Sequence, residues 1–488
     1  MTRRPDTEFT PEPAARARLG RRALLRGVGL GAAGALLAAC APTTPPTPTP
    51  APAKPASQAP SAQPTAVPQA KPATTGTTTV KYWFTGGKLW EDFYNQQIFP
   101  VFYKDNPNIK IEYTVLGSWT DLYNKMVTAA AGGAPPEVAR QKDFFTPDWA
   151  MRGIVQELDD YVKTAPHITA DKYMPKPWKN CFWNGKQVAM PLHIFIHYLH
   201  VNVPLFEKAK LVDASGKPKP PDTWDELREA AKTLTDAANG VWGVLARSYG
   251  ENEDTTNFFQ VMLTQAGGKF IDDQNEKFLF NSPEGLDALT FLVDLIKDKS
   301  MMPPGVPTTN VIEGNKVAMW FSSSSYWPGY LANNPQFRWN TEHNAKRKTR
   351  GAVIRGNHQV MFKGAKEKDS AWKFLAFHAL PDIDYLYGQV AVYVTPRIEN
   401  QSKPFYKGEY KNLPGVQWQH EFDALNDPDA QPQPIFPGYQ ESSFKIAAQL
   451  MEAYMLKKSP QEALAQAEKD GNDVLKMIRG YLGLPPAK

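Results

Sequence analysis

The sequence predicts an α/β protein with at least two folded units. The chain has 488 residues, and a single hydrophobic core stops growing beyond about 250–300 residues. From about Thr78 onward, short apolar strands alternate with helical segments, and the connections between them are short. This alternation is typical of a largely parallel sheet that is covered by helices.

The individual elements follow from periodicity and from capping residues. Asn184-Gly185 is a hairpin signal, and Thr223 with Glu226 forms a capping box at the start of a helix. Asn106-Pro107 and Gly132-Gly133 end two earlier helices. The predicted strands are 80–84, 109–115 and 137–141, and the predicted helices are 90–105, 119–131, 224–235, 283–299, 370–379, 442–457 and 460–480.

The first 39 residues have the pattern of a bacterial export signal. Arg21-Arg22 precedes an apolar run over 28–39, which is too short for the roughly 20 residues that cross a bilayer. Leu37-Ala38-Ala39-Cys40 resembles a lipobox, so we expect residues 1–39 to be removed and Cys40 to carry the lipid anchor. Both the twin-arginine and the general secretory route remain open.

A proline-rich stalk follows the lipidated cysteine over residues 40–75. Residues 41–72 contain eleven prolines among Ala, Thr, Ser and Gln, a composition that favours extended polyproline II. At about 3.1 Å per residue, such a segment reaches on the order of 100 Å. The sequence therefore predicts a protein that is tethered to the outer face of the cytoplasmic membrane.

The charge distribution argues against a nucleic-acid partner. The formal charge is +5, but seven Arg and three acidic residues precede Cys40 (7 − 3 = +4), which leaves about +1 for the rest of the chain. Nucleic-acid binding needs a concentrated basic face. The two cysteines, Cys40 and Cys181, form no thiol cluster for a metal, and we expect Cys181 to be a buried, inert thiol.

Several motifs in the right order resemble family 1 extracellular solute-binding proteins, the maltodextrin-binding-like receptors of ABC importers. The sharpest is Pro-Pro-Asp-Thr-Trp-Asp-Glu-Leu at 220–227. The resemblance covers roughly 78–482, with further matching segments at 123–138, 153–161, 184–191, 197–206, 313–319 and 459–464.

The resemblance implies a two-lobed periplasmic-binding-protein fold of type II, with several chain crossings at a hinge and the ligand in the cleft between the lobes. Lobe 1 would comprise 76–200 and 352–400, and lobe 2 would comprise 201–351 and 401–488. It further implies a monomer without a cofactor, metal or enzymatic activity. This monomer would capture a small solute, a sugar above all, and deliver it to ABC permease subunits.

By the same resemblance, the ligand-binding residues follow the predicted strands or line the hinge. A sugar presents flat C–H faces to aromatic rings and hydroxyls to polar groups. Trp83, Asp143, Phe195, His197 and Tyr439 fit packing or capping roles equally well, whereas we favour Trp327 as a contact because 322–325 has the composition of an exposed loop. The candidates are Trp83, Lys88, Asp143, Phe144, Phe195, His197, Tyr249, Ser322, Tyr326, Trp327, Arg355 and Tyr439.

Three alternatives remain open at this point. Arg355 and Lys88 suit an anionic solute such as a sugar phosphate or organic acid, and a peptide ligand also stays possible. A surface receptor without a transporter would share the tether and the lobes. A carbohydrate-active enzyme or a zinc site at His193, His197 and His200 is disfavoured, because no catalytic motif and no supporting carboxylate are evident.

Overall fold

The structure is a computed structural model that describes residues 76–246, 250 and 252–483. The predicted signal peptide, the lipid anchor at Cys40, the stalk and the candidate Tyr249 lie outside the described residues. Among the residues that are described, no helix is long and apolar enough to cross a membrane.

Two main sheets organise the described part of the chain. In the first sheet the strand order is β12-β11-β3-β1-β2, and β6 also pairs with β11. Strands β1, β2 and β3 are parallel, whereas β11 runs antiparallel to β3 and β6. The strands of this sheet are β1 (Thr78–Thr85), β2 (Ile109–Leu116), β3 (Val138–Lys142), β6 (Met190–Phe195), β11 (Val353–Met361) and β12 (Gln431–Pro432).

The second sheet has four strands in the order β10-β7-β9-β8. Strands β8 and β9 are parallel, and β7 is antiparallel to both β9 and β10. These strands are β7 (Tyr198–Asn202), β8 (Trp242–Leu245), β9 (Val317–Ser322) and β10 (Trp339–Glu342), and a separate hairpin is formed by β4 (Phe182–Trp183) and β5 (Lys186–Gln187).

Helices cover both faces of each sheet. Helices α1, α2 and α12 pack on one face of the first sheet, and α3 and α4 pack on the other. The helices are α1 (Gly87–Phe93), α2 (Phe99–Asp105), α3 (Trp119–Ala131), α4 (Phe145–Met151), α5 (Asp159–Val162), α6 (Pro175–Lys179), α7 (Val203–Lys208), α8 (Trp224–Leu234), α9 (Glu253–Gln265), α10 (Pro283–Lys297), α11 (Trp327–Asn333), α12 (Lys368–His378), α13 (Pro381–Ala391), α14 (Trp418–Asn426), α15 (Tyr439–Tyr454) and α16 (Pro460–Tyr481).

The capping and turn signals of the sequence are confirmed. Thr223 accepts a hydrogen bond from the backbone of Glu226, whose side chain accepts one in return, so the predicted capping box starts α8. Asn184 and Gly185 both have positive φ, as the tight hairpin between β4 and β5 requires. Cys181 is buried, as expected, and burial raises the pKa of its thiol.

One predicted helix has a different form in the structure. The segment 90–105 was expected as a single helix, but a π-helical turn over Tyr94–Ile98 separates α1 from α2. Pro100 lies in the first turn of α2 and cannot donate a hydrogen bond to the carbonyl four residues earlier. A wider turn before the proline relieves this conflict.

The chain passes from the first sheet to the second through Ile196 and His197, which join β6 to β7. A fully buried carboxyl, Glu421 on α14, lies against this crossing and accepts a hydrogen bond from the Tyr198 hydroxyl at 3.5 Å. Ser324 and the backbone of Ile196 lie close enough to this carboxyl to lower its pKa, against the larger effect of burial. The carboxyl therefore connects α14 to the crossing between the sheets.

Burial raises the pKa of Glu421 to about 8, so this group should make the free energy of unfolding depend on pH. The native state keeps its proton between the ordinary pKa of a glutamate and pH 8, and the unfolded state does not. The contribution of this bound proton to the free energy of unfolding is therefore present at acid pH. It is lost as the pH rises from the ordinary pKa of a glutamate to about 8. We expect Glu421→Gln to gain stability over the wild type between pH 5 and 8, by at most about 1.4 kcal/mol per pH unit.

Urea unfolding at pH 5, 6.5 and 8 measures this difference. Glu441→Gln, at an exposed position in the first turn of α15, is the matched control. Its free energy of unfolding should change with pH in the same way as that of the wild type. If the free energy of unfolding of Glu421→Gln also changed with pH as that of the wild type does, the expected titration of Glu421 would be contradicted.

Candidate functional site

The candidate site lies where the carboxyl ends of parallel strands meet the N-terminus of α9. In α/β proteins, ligands bind at the carboxyl ends of the strands. In the first sheet, β3 ends at Lys142, and in the second sheet β9 ends at Ser322. Lys142 forms an ion pair with Glu253, the first residue of α9, and Asp254 lines a cavity beside the end of β9. The strand ends of the two sheets therefore meet at one place.

Arg355 on β11 is the centre of a buried polar cluster behind this place. Its guanidinium is 3 % exposed, and Nη1 lies 2.7 Å from Nδ1 of His197 in the crossing between the sheets. Nη2 donates a hydrogen bond of 2.8 Å to the backbone carbonyl of Asn257 on α9. A single side chain of the first sheet thus holds both the crossing and α9.

Asp143 lies next to this cluster and joins β3 to β11. Its Oδ1 accepts a hydrogen bond from the backbone N–H of Phe144, and its Oδ2 accepts one from Gly356, both at 2.9 Å. Burial raises the pKa of Asp143 to about 7, against the opposing effect of these two hydrogen bonds and of the Arg355 charge. Both carboxyl oxygens are therefore engaged in holding the backbone.

Phe144 and Tyr439 form the apolar side of the same cluster. Their ring centroids lie 5.0 Å apart, and both residues are buried. The Tyr439 hydroxyl donates a hydrogen bond of 2.7 Å to Oδ1 of Asn257. Tyr439 starts α15, so this contact joins α15 to α9 and, through Asn257, to Arg355.

Phe195 lies at the edge of the cluster and is only half-buried. It pairs with Arg355 across β6 and β11, and its ring centroid lies 6.0 Å from that of His197 and 5.7 Å from that of Tyr393. The structure thus brings together six of the residues proposed from sequence: Asp143, Phe144, Phe195, His197, Arg355 and Tyr439.

A cavity of about 310 Å³ opens at the carboxyl ends of β8 and β9. Ser322 and Tyr326 line it, together with Asp254, Trp320 and Tyr330. The Tyr330 hydroxyl donates to the Ser322 hydroxyl at 3.1 Å, and the Tyr326 side chain is exposed at 41 %. This volume is in the range of small-molecule sites, and the lining offers hydroxyls, a carboxyl and aromatic rings.

The structure places Trp327 in the core rather than at an open surface. The residue is 0 % exposed; its indole N–H donates to Nε2 of His200 at 3.0 Å, and its ring lies 5.0 Å from the rings of Tyr410 and Trp418. The expectation of an exposed loop at 322–325 is wrong, since Ser322, Ser323 and Ser324 are buried. Four consecutive serines have the composition of a loop, but here Ser322 ends a central strand and Ser324 begins a 3-10 turn that leads into α11.

Two further candidates lie outside the cluster and the cavity. The Lys88 side chain is 82 % exposed and forms an ion pair with Asp92 at 2.8 Å on the surface of α1. Trp83 is half-buried on β1, and the Lys125 ammonium lies 4.4 Å from its ring centroid. Neither residue lines the cavity at Ser322, and Trp83 packs against the apolar core that also contains Phe144 and Tyr439.

Sequence reasoning missed the polar residues of α9. Every residue from Thr255 to Gln265 is buried, and yet Asn257, Gln260 and Gln265 are polar. Amide side chains in a helix that has no solvent-facing stripe need hydrogen-bond partners inside the protein. The amides among the apolar residues of α9 were therefore the sequence signal for a buried polar cluster.

The geometry of the cluster predicts that removal of the Tyr439 hydroxyl destabilises the fold. In Tyr439→Phe, the side-chain oxygen of Asn257 loses its donor in a buried environment. We expect the free energy of unfolding to fall by about 1–2 kcal/mol, as measured by urea unfolding. Tyr481→Phe, which changes a side chain that is 70 % exposed, is the control. Equal losses in the two variants would show that the Tyr439–Asn257 hydrogen bond contributes nothing.

Comparison with known proteins adds the following findings. The sequence profile of a family described as "bacterial extracellular solute-binding protein" matches residues 83–383. An arabinooligosaccharide-binding protein of Bacillus subtilis is 23 % identical over 326 residues, which are 62 % of this chain and 69 % of that protein.

Solved structures of similar fold cover the described part of the chain. An ABC substrate-binding protein of Listeria monocytogenes in complex with cycloalternan has a TM-score of 0.71 at 20 % identity, over 84 % of this chain and all of that one. An ABC transporter solute-binding protein of Thermotoga lettingae bound to α-D-tagatose has a TM-score of 0.71 at 25 % identity. The match covers 82 % of this chain and 100 % of that one. These matches confirm the predicted two-lobed α/β fold.

Proposed function

Because the chain belongs to the bacterial extracellular solute-binding protein family, we propose that it captures a carbohydrate outside the cytoplasmic membrane and delivers it to the permease of an ABC transporter. The observation that carries the proposal is the meeting of strand ends from both sheets at the N-terminus of α9. There, Glu253 contacts Lys142 of β3, and Asp254 lines the cavity beside Ser322.

The chemistry of this place suits a carbohydrate. Tyr326 presents an exposed aromatic ring to the flat C–H face of a sugar, and Ser322 and Asp254 supply hydroxyl and carboxylate groups for its hydroxyls. The relatives support the same class of ligand, since the proteins from Bacillus subtilis, Listeria monocytogenes and Thermotoga lettingae are described with an oligosaccharide or a sugar.

We propose the same two lobes as the sequence suggested, 76–200 with 352–400 and 201–351 with 401–488. The assignment of β1, β2, β3, β6 and β11 to one sheet and of β8, β9 and β10 to another supports this division. Two strands depart from its bounds, because β7 (Tyr198–Asn202) lies wholly in the second sheet and β12 (Gln431–Pro432) pairs with β11 of the first. The proposed hinge includes Ile196 and His197, where the chain crosses between the sheets. Closure of such lobes around a ligand is a rigid-body hinge motion, and the permease would recognise the closed population.

The proposed role is binding without catalysis. The buried carboxyl nearest the centre of the cluster, Asp143, uses both oxygens to accept backbone hydrogen bonds. Within residues 76–246, 250 and 252–483, no group of three or more His, Cys, Asp or Glu is placed to hold a metal ion. The family match supports a binding protein over a carbohydrate-active enzyme.

The proposal includes export and a lipid anchor at Cys40, supported by the lipobox-like Leu37–Cys40 and by the stalk that follows it. Labelling with radioactive palmitate should modify the wild-type chain, and Cys40→Ser should abolish labelling and release the chain from membranes. Cys181→Ser is the matched control and should keep both properties. A membrane-bound, unlabelled wild-type chain would contradict lipidation.

A thermal-shift screen of the whole chain tests the carbohydrate assignment. The panel contains arabinotriose, D-tagatose and cycloalternan, with glucose 6-phosphate, glucuronate and trialanine for the competing ligand classes. A ligand at about 100 times its dissociation constant stabilises the folded state by roughly 2.7 kcal/mol. We expect a neutral saccharide to raise the melting temperature.

The variant Tyr326→Ala should lose most of this stabilisation, measured as the rise in melting temperature over the same variant without ligand. Tyr481→Ala, at another exposed tyrosine, should keep it. Stabilisation by trialanine or by the anionic compounds, with none from the neutral saccharides, would reject a neutral carbohydrate as the ligand.

A further inference from the structure

An ion pair joins β3 of the first sheet to α9 at the place where the strand ends of the two sheets meet. Lys142 is the last residue of β3, and Glu253 is the first residue of α9; the ammonium contacts Oε1 of the carboxylate. The two residues are 111 positions apart in the chain. The pair therefore does not stabilise a single helix or turn, unlike the ion pairs at i,i+3 and i,i+4 on the surface.

The surroundings of this pair make it stronger than a surface ion pair. The Lys142 and Glu253 side chains are only 18 % and 14 % exposed, so water screens their attraction less. The Lys142 ammonium also lies 5.4 Å from the ring centroid of Phe144 and 5.8 Å from that of Trp119, and aromatic faces attract a cation.

The environment of Glu253 fixes the carboxylate end of the pair. Glu253 lies in the first turn of α9, where the helix dipole favours a negative charge. Asn252 caps this helix and accepts a hydrogen bond from the backbone of Asp254. The next turn of α9 carries Asn257, whose carbonyl is bound by Arg355. The pair and Arg355 thus hold the same helix end at two points, one near the cavity and one deep in the cluster.

We propose that the Lys142–Glu253 ion pair is a latch that sets the balance between open and closed lobes and thereby the affinity for solute. Arg355 is buried and acts as the fixed side of the hinge, whereas the partly exposed pair can separate when the lobes open. The apparent affinity for a ligand scales with the population of the state that binds it, here the closed lobes. A weaker latch therefore lowers the affinity for solute without any contact between Lys142 or Glu253 and the ligand. This inference rests on the proposed function.

The latch can be tested without any ligand. Spin labels at Lys88→Cys and Ala332→Cys, two exposed positions beside the two sheets, report the distance between the lobes by double electron–electron resonance in a Cys40→Ser background. Cys181 is buried and should remain unlabelled. We expect Lys142→Met and Glu253→Gln each to reduce the shorter-distance population about fivefold relative to the longer one.

Two rescue variants separate a latch from a structural role. Lys142→Arg keeps the charge and should keep the shorter distance, and the charge exchange Lys142→Glu with Glu253→Lys should restore part of it. Restoration is partial because a lysine at the start of α9 opposes the helix dipole. Lys163→Met removes a comparable contact, to Asp160 at 2.7 Å within one exposed segment, and should change nothing.

Unchanged distances in both Lys142→Met and Glu253→Gln would overturn the latch. It would also be overturned if the double exchange restored no more of the shorter distance than Lys142→Glu or Glu253→Lys alone. Affinity for arabinotriose, D-tagatose and cycloalternan, measured by calorimetry, forms the second arm. A saccharide that stabilises the wild type should bind Lys142→Met about fivefold more weakly. If no saccharide binds the wild type, the carbohydrate function fails while the distance measurement still decides on the latch.

Discussion

The guanidinium of Arg355 is the interaction on which the arrangement of the sheets depends. It projects from β11 of the first sheet, lies against His197 in the chain crossing and binds the carbonyl of Asn257 at the start of α9. A buried charge is costly unless it is well bonded, so the three segments must keep this geometry together. The ends of the strands, and with them the cavity beside Ser322, are positioned as a consequence.

Buried polar groups join separate elements of the protein, alongside an apolar core that extends over residues of both sheets. Asp143, Glu421 and Tyr439 are all buried, and each bonds to a different element from its own. Such bonds have strict geometry and lose much free energy when one partner is removed. They therefore restrict how the elements can move, while the aromatic clusters tolerate small shifts.

The sequence predicted the fold well, because capping, turn and strand signals are local. Thr223 with Glu226 and Asn184 with Gly185 acted as predicted, and the six clustered candidates followed from a resemblance. The sequence failed where burial is decided by distant segments. Trp327 comes after four serines and Tyr326, but its ring is packed against Trp418 and Tyr410 from far along the chain. The polar residues of α9 likewise have partners on other elements, as Asn257 does with Tyr439.

The separation between the buried cluster and the exposed cavity lining has a consequence for evolution. Tyr326 is 41 % exposed and lines the cavity, whereas Arg355 and Asn257 are buried and hydrogen-bonded to each other. Substitutions at the cavity lining can therefore accumulate while the buried bonds between the first sheet and α9 are kept. The same division offers a scaffold for a fluorescent biosensor whose cavity lining is redesigned independently of the buried polar cluster.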